Sequence, residues 1–323
     1  MKILTISVLC LLGAFAVIFA FIRMAFQESD RTVTELSERW AAAPSQFIEI
    51  NGMQVHVRDE GPKSDPMPLI LLHGTSASLH TWDGWVFHLQ NLLQGQKQEH
   101  RRIIRFDMPA FGLTGPHPKG DYRIESYAKT VVAVMDALNV KRAIIAGNSL
   151  GGYVAWGTAV FYPERVAKLI LVDASGLPFQ AKSVPLGFKI ASNPLLHSLL
   201  GDIFPRSVVQ TSVENVYSDS SRVTADLVDR YFELTLRQGN RDALAQRFVQ
   251  TQSGVLADRL AEISQPTLIL WGRDDNLIPL ELGHQFKQLI ADSRLQIFDG
   301  LGHVPHEEGP LETVSSIVSF IEN

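Results

Sequence analysis

The stretch AIIAGNSLGGYVAW, Ala143 to Trp156, runs from small apolar residues into Gly147-Asn148-Ser149-Leu150-Gly151, which has the form G-x-S-x-G. A serine hydroxyl becomes a useful nucleophile only when a base takes its proton and an acid orients that base. In a strand–turn–helix setting the expected chain order is serine, acid, histidine. TLILWGRDDNLIP supplies Asp274 and Asp275, and DGLGHVPHEEGP supplies His303 and His306. His303 follows Gly302 at a loop tip and is the expected base, whereas His306 precedes Glu307 and Glu308 and reads as the start of the last helix. Spacing alone does not separate Asp274 from Asp275. A phosphate-cradling loop fails, because no lysine follows the glycines at the spacing such a loop needs.

An oxyanion hole needs two backbone N–H groups, one after the nucleophile and one from the loop after the third strand. Leu150 supplies the first, and Thr75 in LLHGTSAS the second. His73 reads as a hydrogen-bonding support under that loop. His80 and Trp82 are placed in the substrate pocket, with packing of the loop as the other reading.

These residues need a scaffold. Phe47 to Val57 alternates around Asn51-Gly52, a hairpin signal. Continuous apolar runs, typical of strands buried on both faces, occur in LILLHG, RIIRFD, RAIIAG, KLILVDA, TLILWG and LQIFDG. Helical patterns lie between most of them, over Ile124 to Leu138, Leu150 to Tyr162, Leu280 to Ile290 and Leu311 to Ile321. Alternating strands and helices predict an α/β fold, with a mostly parallel sheet covered on both faces. The hairpin adds antiparallel strands at one edge. Leu177 to Ile263 has helical patterns and no strand, and is expected to be a lid over the carboxyl ends of the strands.

The 323 residues, 46% hydrophobic, suit one large α/β domain with an insertion. A net charge of −5 with scattered Lys and Arg gives no nucleic-acid signature. Cys10 is the single cysteine, so an internal disulfide and a cysteine-based zinc site are excluded. No metal or organic cofactor is implied. Ile3 to Ile22 carries no charge over 20 residues, and as a helix would span about 30 Å. The expected organisation is a transmembrane signal-anchor over residues 1–26, a stalk over 27–45, a core over 46–176 and 264–323, and a cap over 177–263. Arg23, Arg31 and Arg39 argue for a cytoplasmic domain. The short flank before the apolar run argues for export, and an extracytoplasmic or periplasmic domain on a single-pass anchor is expected.

With Ser149, His303, the His73-Gly74 loop and WGRDD in view, the chain from Phe47 to Asn323 resembles the α/β-hydrolase fold superfamily. RFDMPAFGLTG is similar to that family's D-x-P-G-x-G-x-S loop, with Ala110 and Thr114 where glycine and serine are usual; a local backbone adjustment is expected. The resemblance implies a structural role for Asp107, and the family's G-x-x-D-x-x-x-P pattern selects Asp275 as the acid. Haloalkane dehalogenases and epoxide hydrolases carry an aspartate where this chain has Ser149. Carbon–carbon bond hydrolases of aromatic degradation share Gly-Asn-Ser but usually have tryptophan at the position of Val304. The anchor and lid make the chain similar to membrane-bound monoacylglycerol lipases. The expected activity is therefore that of a membrane-anchored carboxylesterase or lipase acting on a small, possibly lipid-like ester. A carbon–carbon bond hydrolase or cofactor-free perhydrolase of the same fold is the alternative.

Overall fold

The structure, a computed structural model, describes residues 2–95 and 100–322, and the backbone alone of residues 2–12 and 15. Eight strands form one sheet: β1 (Gln46–Ile50), β2 (Met53–Glu60), β3 (Leu69–Leu72), β4 (Ile103–Phe106), β5 (Ala143–Asn148), β6 (Val166–Val172), β7 (Thr267–Gly272) and β8 (Ser293–Phe298). Their order is β1-β2-β4-β3-β5-β6-β7-β8. β1 pairs antiparallel with β2 around Asn51-Gly52, and β2 antiparallel with β4. The pairs from β4 and β3 onward are parallel. β3, β4 and β5 are buried throughout, which is why their sequences lack the alternation of the β1–β2 hairpin.

Thirteen helices accompany the sheet among the described residues: α1 (Lys2–Phe26), α2 (Val33–Trp40), α3 (Asp83–Gly95), α4 (Ile124–Ala137), α5 (Leu150–Phe161), α6 (Leu186–Ala191), α7 (Pro194–Leu200), α8 (Arg206–Val216), α9 (Ala225–Thr235), α10 (Asn240–Gln250), α11 (Leu280–Leu289), α12 (Pro305–Glu308) and α13 (Pro310–Glu322). One sheet face packs Trp85 and Leu89 of α3 and Ile317 and Ile321 of α13 against Leu69, Leu71 and Ile103. The other packs Val131 of α4, Val154 and Trp156 of α5 and Phe286 of α11 against Ile70, Leu72 and Ile145. Helices α6 to α10 fill the interval between β6 and β7 where no strand pattern was found. They have a small core of their own around Val209, Val213, Val228 and Phe232.

The expected anchor requires correction. Among the described residues, no helix is long and apolar enough to cross a membrane. Most of the expected span lies outside the residues whose side chains are described. The described end of α1 rests on the turn between α7 and α8: Arg23 ion-pairs with Asp202, Gln27 forms a β-bridge with Ile203, and Phe204 N–H donates to the Phe26 carbonyl at 3.0 Å. Phe19 and Ile22 form part of the wall of a cavity, while Val17, Ile18, Phe21 and Met24 are exposed. The membrane partner and the membrane-anchored, extracytoplasmic placement are withdrawn with the anchor. The expected stalk lies along α9. Helix α2 starts with a Thr32–Glu35 capping box, Arg39 bridges Asp226, Asp229 and Glu233, and Trp40 Nε1 donates to Glu233 at 2.7 Å.

Candidate active site

Ser149 stands between β5 and α5 with φ 54° and ψ −115°, a left-handed conformation that L-residues rarely adopt. The flanking glycines permit it. A Cβ on Gly147 would run into the Gly151 carbonyl, and one on Gly151 into the carbonyl of Leu72 on β3. The turn therefore lifts the serine above the carboxyl ends of the central strands. Ser149 is 9% exposed, and what exposure it has faces a cavity of about 310 Å³. Gly74, Thr75, Asn148 and His303 line the same cavity.

His303 sits in the loop after β8. Its Nδ1 lies 2.7 Å from Asp275 Oδ2, and both residues are buried. Asp275 Oδ1 accepts the N–H groups of Leu277 at 2.7 Å and Ile278 at 2.9 Å, which fixes the carboxylate. Asp274 points away, accepting from the Ser218 hydroxyl at 3.1 Å. The structure thus joins Asp275, rather than Asp274, to His303. His306 stacks on Trp82 at a 4.0 Å ring separation, and its Nε2 lies 3.0 Å from Thr81 Oγ1. Burial, then the charge of His303, holds its pKa well below the usual imidazole value.

The loop after β3 brings Thr75 to the cavity wall, and a Cβ on Gly74 would stand 3.3 Å from Ser149 Cβ. Leu150 opens α5 directly after Ser149. His73 lies beneath: its Nδ1 donates to the Gly74 carbonyl at 2.7 Å, and its Nε2 accepts the Met108 N–H at 2.9 Å. Burial lowers its pKa, consistent with a neutral ring. His80 and Trp82 do not line the cavity. The short 3-10 turn Leu79–Trp82 turns both inward, where His80 Nε2 meets the Trp40 carbonyl at 2.9 Å and Trp82 packs on Trp85. They pack the loop.

Three residues had no role in the sequence reading. Asn148 Nδ2 donates to the carbonyls of His303 at 2.9 Å and Val172 at 3.2 Å, tying the histidine loop to the serine strand. A polar residue ending an otherwise apolar strand was the available signal. Asp173 is buried beside Asp275, and one polar atom each of Asp173, Asp275 and His303 lies within 4.8 Å of the others. Burial and the Asp275 charge raise the Asp173 carboxyl well above the usual range. This donor set suits a hydrogen-bond relay better than a cation, since Asp275 and His303 already engage each other. Arg247 of α10 donates to Thr75 Oγ1 at 2.9 Å.

Asp107 accepts from His56, Leu79 and Leu113. Despite its burial, the charge of His56 and its hydrogen bond hold the carboxyl far below the usual range. Ala110, at the position where the family usually has glycine, has φ 81°, a conformation that strains a residue bearing a Cβ. Thr114 Oγ1 accepts the His56 N–H at 3.0 Å.

Residues 67–310 match the sequence profile of the alpha/beta hydrolase fold. The chain belongs to this family. Among its relatives is a 2-hydroxy-6-oxo-2,4-heptadienoate hydrolase of Pseudomonas putida, 30% identical over 80% of this chain and 89% of that one. A 2-hydroxy-6-oxo-6-phenylhexa-2,4-dienoate hydrolase of Comamonas testosteroni is 29% identical over 84% and 93%. The fold also superposes on a meta-cleavage product hydrolase from Pseudomonas fluorescens, with a TM-score of 0.72 and 24% identity over 86% of this chain and 97% of the other. These relatives overturn the expectation of a carboxylesterase or lipase, because their names specify hydrolysis of 2-hydroxy-6-oxo-dienoates instead of esters. The error has a physical cause: the same elbow, histidine and acid serve many reactions, and nothing in the motifs encodes the bond that breaks. What stands is that the chain is a hydrolase.

Proposed function

We propose that this hydrolase cleaves a carbon–carbon bond beside a ketone in acids of the 2-hydroxy-6-oxo-dienoate class. The observation that carries the reading is Ser149 on the wall of an apolar cavity it shares with His303, which is paired to buried Asp275, in a chain related to such hydrolases. Phe188, Phe204, Val209 and Leu244 line the cavity and suit the apolar 6-substituent. Val304 lines it too; being smaller than the usual tryptophan, it leaves room for a bulky substituent.

Chemistry follows from the relay. His303 accepts the Ser149 proton while Oγ adds to the 6-carbonyl, and Asp275 stabilises the imidazolium. The N–H groups of Thr75 and Leu150 bind the oxyanion. Collapse restores the carbonyl and breaks the bond between carbons 5 and 6. This requires the 2,6-dioxo tautomer, formed beforehand when the 2-hydroxyl gives up its proton and carbon 5 gains one. The electron pair of the broken bond then delocalises through carbons 3 and 4 onto the 2-oxygen, and the dienolate takes the proton from His303 and leaves as a 2-hydroxydienoate. Water, deprotonated by His303, then releases the acyl group from Ser149 as a second carboxylic acid.

The test is a panel of dienoates with 6-methyl and 6-phenyl groups, followed by loss of their visible absorbance, beside p-nitrophenyl esters. Dienoate turnover that disappears in Ser149→Ala is expected. Ester hydrolysis with no consumption of any dienoate would overturn the reading.

A further inference from the structure

Arginines of the cap generally face carboxylates: Arg206 meets Asp229, Arg230 meets Glu307 and Arg241 meets Asp30. Arg247 differs. It is buried, and among the described residues it joins no ion pair. One terminal nitrogen donates to Thr75 Oγ1 at 2.9 Å, the other to Thr251 Oγ1 at 3.2 Å, and buried Nε has no acceptor. The Phe248 ring lies 4.8 Å from Cζ, and the Tyr127 phenol is near enough to interact with the charge. Hydroxyls and a ring face leave the positive charge uncancelled in a medium that screens poorly, which is costly unless a negative charge forms nearby.

Thr75 connects that charge to the reaction. Its side chain holds Arg247 while the residue lines the cavity beside Ser149. We propose that Arg247 is a positioning residue of the oxyanion hole, fixing Thr75 from the cap and favouring the negative oxygen through its unneutralised charge. The inference rests on the reading of Thr75 as an oxyanion donor. The cap thereby takes part in stabilising charge as well as in enclosing substrate. The ground-state ketone carries little charge and gains little from the guanidinium; the tetrahedral intermediate gains much, so the effect belongs in kcat.

The experiment compares Arg247→Met, Arg247→Lys and Thr75→Val with wild type, using steady-state kinetics, thermal melting and the rate at which a fluorophosphonate labels Ser149. Arg247→Met is expected to lower kcat by about 10–100-fold with KM changed by less than about twofold. Arg247→Lys keeps the charge and recovers most of that loss. Thr75→Val retains the backbone N–H but loses the acceptor, and combining it with Arg247→Met gives less than the product of the two effects. Fluorophosphonate labelling slows in Arg247→Met as well, because the phosphoryl oxygen occupies the same hole. A lower Tm with unaltered kcat in the folded fraction, or labelling at the wild-type rate, overturns the inference. If no dienoate is consumed but Arg247→Met still slows labelling, the substrate reading falls and this inference stands.

Discussion

Two strings of serine, histidine and aspartate run through this molecule. In one, Asp275 meets His303 on the wall of the cavity that also exposes Ser149. In the other, Asp107 Oδ2 lies 2.7 Å from His56 Nδ1, and His56 Nε2 lies 2.8 Å from Ser45 Oγ. By hydrogen bonds alone the second is the more complete. Yet Ser45 sits before an edge strand, its hydroxyl also accepts from Arg58 Nε at 2.9 Å, and neither it nor His56 lines the cavity. It ties the β1–β2 hairpin to the loops after β3 and β4. The difference is one of setting: Ser149 has a strained elbow and a cavity in front of it, which Ser45 lacks, and on the proposed reading these, as much as the relay, make a nucleophile.

Mutations can break or sharpen this contrast. Ser149→Ala should lower kcat by about 10⁴-fold or more, while Ser45→Ala should leave it within about twofold; comparable losses in steady-state kinetics would erase the distinction. Asp275→Asn should cost about 10³–10⁴ in kcat with the protein still folded. Asp107→Asn should act on stability instead, by about 2–4 kcal/mol, read from the urea midpoint.

Acid should expose the second string's surroundings. Burial pulls the His80 pKa down to about 3, whereas the unfolded value is about 6.5. Between those values the unfolded chain binds a proton that folded His80 refuses, so stability falls as pH drops from about 6.5 toward 3. His80→Gln should flatten urea-midpoint profiles between about pH 6 and pH 4; an unchanged slope would refute the neutral, buried imidazole. The smallest effect is expected at the cavity's outer wall. Phe19→Ala with Ile22→Ala should raise KM about threefold for substrates with a bulky apolar substituent, with kcat unchanged and 6-methyl substrates unaffected.

Much of the frame could be read from the chain because it is written locally. Buried strands appear as unbroken apolar runs, and the serine elbow announces itself through glycines that nothing larger can replace. His303 was separable from His306 by the glycine before it. Other features depend on partners far away in sequence. Nothing near Arg247 indicates Thr75, and nothing near Asp173 indicates Asp275. His80 and Trp82 follow the loop after β3, but a single 3-10 turn decides which way they face. The apolar run before Arg23 was legible as a helix but not as a neighbour of the cap. The bond broken was illegible altogether, since reaction class lies in cavity shape and the relay is common to many chemistries.

Phe19 and Ile22 reach the cavity from a helix that lies outside residues 67–310. A shortened protein beginning at the hairpin would retain its serine, histidine and aspartate and still pass any assay for an intact relay. It would, however, present its substrates with a reaction vessel missing one side, so water would reach the acyl group sooner and selection by size would slacken. Kinetics gathered on such a fragment would describe a different catalyst.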